Sequence, residues 1–286
     1  MNNEQMENYN KLMEEKGYRA ADEYKNSLLP KKLYKYFSLT EDGELNNKKI
    51  ETLEKNEIWC AHCNQYNDPF EFEALYLDKL QMQSEGYKKE QIEMVEKFYN
   101  VQKDLLKICS FSSSSNSMPM WVHYSNNHKG YCIEYEIIEE DSRILGDKIF
   151  PVLYTPDRIE GHIFLNDLLN CFYRAAKFDL PATEESLKYT SYMYIVCTAK
   201  HISWSYENEY RILFAEEEAN NKAGKNVKCS VCGIRPTKSI LGYNCDDLYS
   251  DMLYKASKNV GITTITKMKK KNESQFYLEE LNYIPK

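Results

Sequence analysis

Apolar side chains recur every three or four residues in some stretches of the chain and alternate with polar ones in others, and these two periods separate helices from strands. Residues 2–26 carry a polar, charge-rich pattern that predicts a helix, and Pro30 separates it from a strand at 33–37, LYKYF. Ile50 and Leu53 predict a short helix over 46–56, leading into a strand at 57–61, EIWCA. The following NQYNDPF, 64–70, is rich in turn formers and breaks regular structure. Ile92, Val95, Tyr99 and Leu106 share one face of a helix predicted over 88–107, before a buried strand at 108–112. After the polar SSSSNS run, 118–125 reads as a helical turn, 130–136 as a strand and 151–154 as another. Phe164, Leu168, Phe172 and Ala176 are in step for a helix over 162–177, and Thr183 can cap a further helix to about Val196. The last third predicts a strand through 211–214 and another at 239–241. A helix follows from Asp246, with Tyr249, Leu253, Ala256 and Val260 aligned, and then a strand at 262–266.

Helices and strands interleave with no internal repeat and no stretch that looks like a linker. The pattern therefore predicts an α+β fold in one domain over 31–286, with residues 1–30 as an N-terminal helical appendage. Hydrophobic residues make up 42% of the 286 positions, and 24 Tyr, 11 Phe and 3 Trp can build a substantial core or an aromatic-lined cleft. Against 44 Asp and Glu there are 37 Lys and Arg, a formal charge of −7 that opposes global attraction to nucleic-acid phosphates. No apolar run approaches a membrane span, and the first residues lack the apolar core of a signal peptide, so a cytoplasmic protein without membrane contact is expected. Nine Cys at irregular spacing fit reduced thiols rather than a disulfide framework.

Three segments concentrate chemistry. Treated as a strand, WSYENEYRILF from Trp204 places Glu207, Glu209, Arg211 and Leu213 on one face and Asn208, Tyr210, Ile212 and Phe214 on the other, which can enter the core. Two carboxylates and a guanidinium in a row can poise an acid or base and bind a polar substrate; an exposed strand edge with weak surface pairs has the same pattern. In QYNDPFEFE, Asn67 and Asp68 can bond back to the loop backbone or be aimed into a cleft. In MWVHYSNNHKGYCIEY, Trp121 and Tyr124 form an aromatic pair that can stack on a flat ring or simply fill the core, with His123 and His128 beside them. Cys60/Cys63 and Cys229/Cys232 each have the spacing of half a zinc site. They lie far apart in sequence and the first pair spans a predicted strand end, so no metal is expected. The KMKKK run at 267–271 reads as a solvated strand end.

In order, LYKYF, NDPFE, CSFS, MWVHYSNNHKGYCIEY and WSYENEYRIL resemble a bacterial domain-of-unknown-function family over about 33–241. Members of that family occur among abortive-infection and other phage-defence genes, and the family resembles distant ADP-ribosyltransferases. The resemblance implies a mixed, split β-sheet flanked by helices that binds NAD as co-substrate in a cleft, acting as a toxin-like effector. It implies Glu209 and Glu207 as the catalytic carboxylates, an ExE pair whose second member is catalytic in many transferases. Lys35 or Tyr36 would take the first-strand role, where the superfamily usually has Arg or His, and Ser110, Ser112 or Tyr124 the middle one. Tyr34, Asn67, Asp68, Trp121 and Arg211 would complete the NAD contacts, with Arg211 or Lys35 on the pyrophosphate. The partners implied are a protein or RNA acceptor and a neutralising antitoxin or phage-derived trigger.

Two other function classes use the same residues. One is a non-enzymatic sensor of a nucleotide or phage component. The other is a metal-dependent nuclease built on Asp68, Glu71, His123 and the Glu pair, since clustered carboxylates and imidazoles hold divalent ions.

Overall fold

The computed structural model of the chain describes residues 1–66, 68–138, 149–179, 183–216, 223–274 and 278–285. In chain order its strands are β1 (Lys32–Phe37), β2 (Glu57–His62), β3 (Leu75–Tyr76), β4 (Leu106–Ser112), β5 (Tyr131–Ile137), β6 (Ile149–Pro151) and β7 (Tyr154–Thr155). They continue with β8 (Ile159–Glu160), β9 (Lys200–His201), β10 (Glu209–Ala215), β11 (Lys225–Lys228), β12 (Ile234–Leu241), β13 (Thr264–Lys270) and β14 (Leu278–Asn282). The helices are α1 (Asn3–Lys16), α2 (Tyr18–Ser27), α3 (Gly43–Glu54), α4 (Lys79–Ser84), α5 (Lys89–Leu105), α6 (Met118–His123), α7 (His162–Phe178), α8 (Glu184–Cys197) and α9 (Asp247–Asn259).

The fold is α+β, with a curled, mixed sheet in the order β11-β2-β4-β1-β5-β12-β13-β14, to which β10 is added through β4 and β6 through β10. Neighbours are antiparallel except β12 and β13, which run parallel around the crossover helix α9. Strand β4 is the branch point. On one edge β10 follows it from Glu209 opposite Ser112 to Ala215 opposite Leu106. On the other edge β2 pairs only with Lys107 and Ile108, and β1 only with Ser112. Strands β1 and β2 therefore diverge beside residues 109–111.

Alternation along β4 feeds two cores. Cys109 and Phe111 enter the first with Leu33, Ile133, Tyr135 and Ile212, covered by Ile50 and Leu53 of α3 and Leu253 and Ala256 of α9. Leu106 and Ile108 enter the second with Leu213 and Phe150, covered by α5, α7 and α8. Burial of these apolar faces supplies the main favourable term in folding. A smaller cluster of Tyr36, Met120, Trp121, Cys132, Ile240, Met268 and Leu278 closes the outer face of β1 and β5.

Several elements depart from the pattern reading. The helix expected over 2–26 is broken at Gly17, whose φ of 84° lies in the left-handed region that favours glycine. Its two halves pack into the second core, where Tyr9, Met13 and Ala21 are buried and the Tyr9 hydroxyl shares a hydrogen bond with Ser191 Oγ. The strand expected at 151–154 is two, β6 ending at Pro151 and β7 beginning at Tyr154; proline has no N–H to continue a ladder. The strand expected at 262–266 is Thr264–Lys270 and takes in most of the lysine run, with Met268 buried and Lys269 and Lys270 exposed. Strands β11 and β14 were not expected, being polar edge strands without clear alternation. Among the described residues no helix is long and apolar enough to cross a membrane.

Candidate functional site

The Trp204 segment is not a continuous strand. Ile202–Glu207 forms a 3₁₀ helix opened by His201, whose Nδ1 accepts from Ser203 N at 3.3 Å, and Asn208, at φ 44°, ends it before β10 begins at Glu209. Glu207 therefore reaches the neighbourhood of Glu209 from a turn and not by strand alternation. Within β10 the alternation holds, but the charged face is buried. Glu209, Arg211 and Leu213 lie beneath the second core while Ile212 enters the first, because β10 is flanked by β4 and β6 and covered on both faces. The reading of this segment as an exposed edge is thereby corrected.

Buried charges are tolerated only when paired, and the pairing here is extensive. Arg211 Nε donates to Glu209 Oε1 at 2.8 Å and Nη2 to Glu209 Oε2 at 3.2 Å. The other side of the guanidinium takes both oxygens of Glu71, with Nη2 to Oε2 at 3.0 Å. Glu71 is delivered by the NDPFE loop, where Asp68 Oδ1 accepts from Phe70 N at 2.9 Å and fixes the turn. Lys200, on the short strand β9, bridges the two glutamates, at 2.7 Å from Glu207 Oε2 and 2.9 Å from Glu209 Oε2. Tyr124 donates its hydroxyl to Glu207 Oε1. The backbone is held as well: Ser112 Oγ donates to Glu207 O at 2.7 Å, and Glu209 N donates to the Tyr154 hydroxyl at 2.9 Å.

This geometry drives the two carboxyls apart. Burial alone raises both, but beside Glu209 the charges of Arg211 and Lys200 outweigh it and hold that carboxyl well below the ordinary 4.5. At Glu207 burial and the neighbouring charge of Glu209 prevail over Lys200 and Tyr124, so its affinity for a proton is raised. Tyr124 is itself pushed up by burial and by Glu207, and stays a donor.

Where β1 and β2 diverge there is a cavity of about 240 Å³, lined by Tyr34, Lys35, Tyr36, Trp59, Tyr66, Ser110, Ser112, Tyr124, Lys200, Glu207 and Glu209. Tyr34 and Tyr36 present their rings because their hydroxyls are tied away, to Glu134 Oε2 at 3.0 Å and Ser114 O at 2.8 Å. Lys35 Nζ reaches Ser110 O at 3.3 Å and, among the described residues, has no carboxylate partner. A second hollow of about 170 Å³ continues past Tyr66, Asp68, Glu71 and Lys200 to Trp204. A third, of about 520 Å³, opens beyond Lys200 between Phe70, Pro156 and Trp204. Lys200 lines all three.

Eight of the expected site residues thus share one cavity wall: Tyr34, Lys35, Tyr36, Ser110, Ser112, Tyr124, Glu207 and Glu209. Asp68 lines the adjoining hollows. Arg211 is fully buried behind Glu209 and does not reach the wall. Trp121 is also fully buried; it backs Tyr36 at 5.1 Å, stacks on His128 at 5.9 Å and donates Nε1 to Ser115 O at 2.8 Å. Asn67 lies outside the described residues. Asp68, Glu71, exposed His123 and the Glu pair make no metal-holding group, since among the described residues no three His, Cys, Asp or Glu are so arranged. The first CxxC pair separates, with Cys60 buried in the first core and Cys63 packed on the second, while Cys229 and Cys232 are both buried in the first. Sequence reasoning missed Lys200, Tyr66 and Tyr154. For Lys200 a signal existed, a lone lysine closing the apolar run IVCTA, where only a paired ammonium can be accommodated.

A profile of a family described as a protein of unknown function, DUF2971, matches residues 120–212. The chain is thus similar to a domain-of-unknown-function family across α6, β5, Lys200 and the Glu207–Glu209 turn. No curated protein and no solved structure matches the chain.

Proposed function

We propose that the cavity is the site of an NAD-consuming ADP-ribosyl transfer. The observation that carries this reading is the convergence of Tyr34–Tyr36, Ser110, Ser112, Tyr124, Glu207 and Glu209, from four separated segments, on one aromatic-lined cavity beside two carboxyls of opposite poise. Breaking the N-glycosidic bond of NAD develops oxocarbenium character on the ribose, which a fixed negative charge nearby stabilises. Glu209, kept ionised by Arg211 and Lys200, suits that role. Glu207, with its raised proton affinity, suits proton removal from the acceptor nucleophile. The tyrosine rings offer stacking faces, and Lys35 is the wall cation left for an anionic group. Membership of a phage-defence system, an ADP-ribosyltransferase-like fold and a protein or RNA acceptor belong to the same reading, on the strength of the ordered motifs.

The test is to incubate the pure protein with NAD and follow nicotinamide release with protein and RNA acceptors, alongside calorimetric titration with NAD. Release that disappears in Glu209→Gln with the fold retained supports the reading; neither binding nor release with any acceptor sinks it. A second reading, a nucleotide sensor without chemistry, is favoured by Glu209 having both oxygens already engaged by Lys200 and Arg211. Its signature is NAD binding without turnover.

A further inference from the structure

We propose that Cys60 and Cys109 form an oxidation site, in which a peroxide converts the two thiols to a cross-strand disulfide in the first core, beside the cavity. Strands β2 and β4 are antiparallel, with His62 opposite Lys107 and Ala61 opposite Ile108, and Cys60 and Cys109 are the next residues along each strand, just past the end of that ladder. Opposed residues within an antiparallel ladder have Cα atoms about 4.5–5.5 Å apart and a disulfide spans roughly 4.4–6.8 Å, so a pair just past the ladder's end needs little movement to be bridged. Both side chains are fully buried in the first core, and each thiol alters the other's affinity for a proton.

Lys35 completes the site. Its ammonium donates to Ser110 O at 3.3 Å, next to Cys109 on β4, and lacks a carboxylate partner among the described residues. Burial penalises a thiolate at Cys109, but the neighbouring Cys60 thiol and the charge of Lys35 outweigh it and bring that thiol down to about 7. Cys60 is driven the other way, by the neighbouring Cys109 thiol and by burial. Neither cysteine lines the cavity; Lys35, Ala61, Ile108 and Ser110 form the wall beside them, and a peroxide reaches the pair past these residues. Cys229 shares the same core, and burial pushes its thiol up rather than down.

The chemistry balances with hydrogen peroxide as the oxidant. The Cys109 thiolate attacks one peroxide oxygen, the O–O bond breaks, and the departing hydroxide takes a proton to become water, leaving a sulfenic acid. The Cys60 sulfur then displaces the sulfenic hydroxyl, which leaves as water with the Cys60 proton. Two thiols lose two electrons and one peroxide is reduced to two waters. The disulfide removes the thiolate facing Lys35 and cross-links β2 to β4 where the sheet diverges.

The inference stands apart from NAD chemistry and is tested on the full chain. Reduced protein is treated with hydrogen peroxide, alkylated under denaturing conditions and mapped by mass spectrometry. The expected product is a peptide pair joined through Cys60 and Cys109 and separated by dithiothreitol. In Cys60→Ala, a dimedone probe should capture Cys109 as its sulfenic acid. In Lys35→Met, Cys109 should be lost about tenfold more slowly relative to Cys63, the partly exposed thiol in the same sample. Cys60 and Cys109 still alkylatable once Cys63 is oxidised, or Cys109 joined instead to Cys229 or Cys232, overturns the proposal. The wild-type result decides even if a variant fails to fold.

Discussion

Glu207 and Glu209 stand two residues apart, and burial raises both, yet their net shifts are opposite because Arg211 embraces only the second. Their pH signatures should differ accordingly. With its folded pKa below the ordinary 4.5, Glu209 contributes stability that is present above that value and lost as pH falls through the depressed one. Glu207, raised above 4.5, contributes stability that is fully present below that value and lost as pH rises through the raised one. Urea unfolding over a pH series should show Glu209→Gln less stable than wild type by about 3 kcal/mol or more at neutral pH, the cost of breaking a buried pair, with the gap narrowing in acid. Glu207→Gln should instead flatten the loss of stability above 4.5. Equal and pH-independent effects would refute the opposed poise. The residue types were legible in WSYENEYR, and so was the suspicion that both carboxyls matter. Their assignment to a turn and a strand was not, because Asn208 in the left-handed region is a local backbone choice that alternation does not encode.

At the level of elements, the glycine of the HKGYC segment explains itself only in three dimensions. A Cβ on Gly130 would lie 1.9 Å from Phe37 O and one on Gly242 2.1 Å from His128 O, so the start of β5, the end of β1 and the end of β12 meet backbone to backbone. Gly130→Ala should cost about 3 kcal/mol or more, at or beyond the upper end of overpacking, measured as a drop in urea midpoint; a change within experimental error would show that the strand ends can part. Amphipathic helices such as α5 and α9 were legible because their apolar faces repeat with the helical period. β11 and β14 were not, since an edge strand has one neighbour and tolerates polar residues on both faces.

For the whole molecule, the first 27 residues show that a polar stretch can carry core positions. Their sequence reads as a helical appendage, and its Tyr9, Met13 and Ala21 are buried in the second core, where Tyr9 meets Ser191 and Tyr192 of α8. Met13→Ala should therefore cost about 2–5 kcal/mol, as for any buried methionine, seen in denaturant unfolding; an unchanged midpoint would mean that α1 does not contribute to the core. What the sequence by itself determined was the α+β class, most of the strands and helices, and the residue types of the site, since each depends on local period and turn chemistry. Only the tertiary structure decided that β10 is covered on both faces, that Lys200 joins Glu207 to Glu209, and that Trp121 and Arg211 stand behind the wall rather than on it. Those facts follow from which strands flank β4 and where β1 and β2 diverge, and such long-range pairings leave no trace in the spacing of residues along the chain.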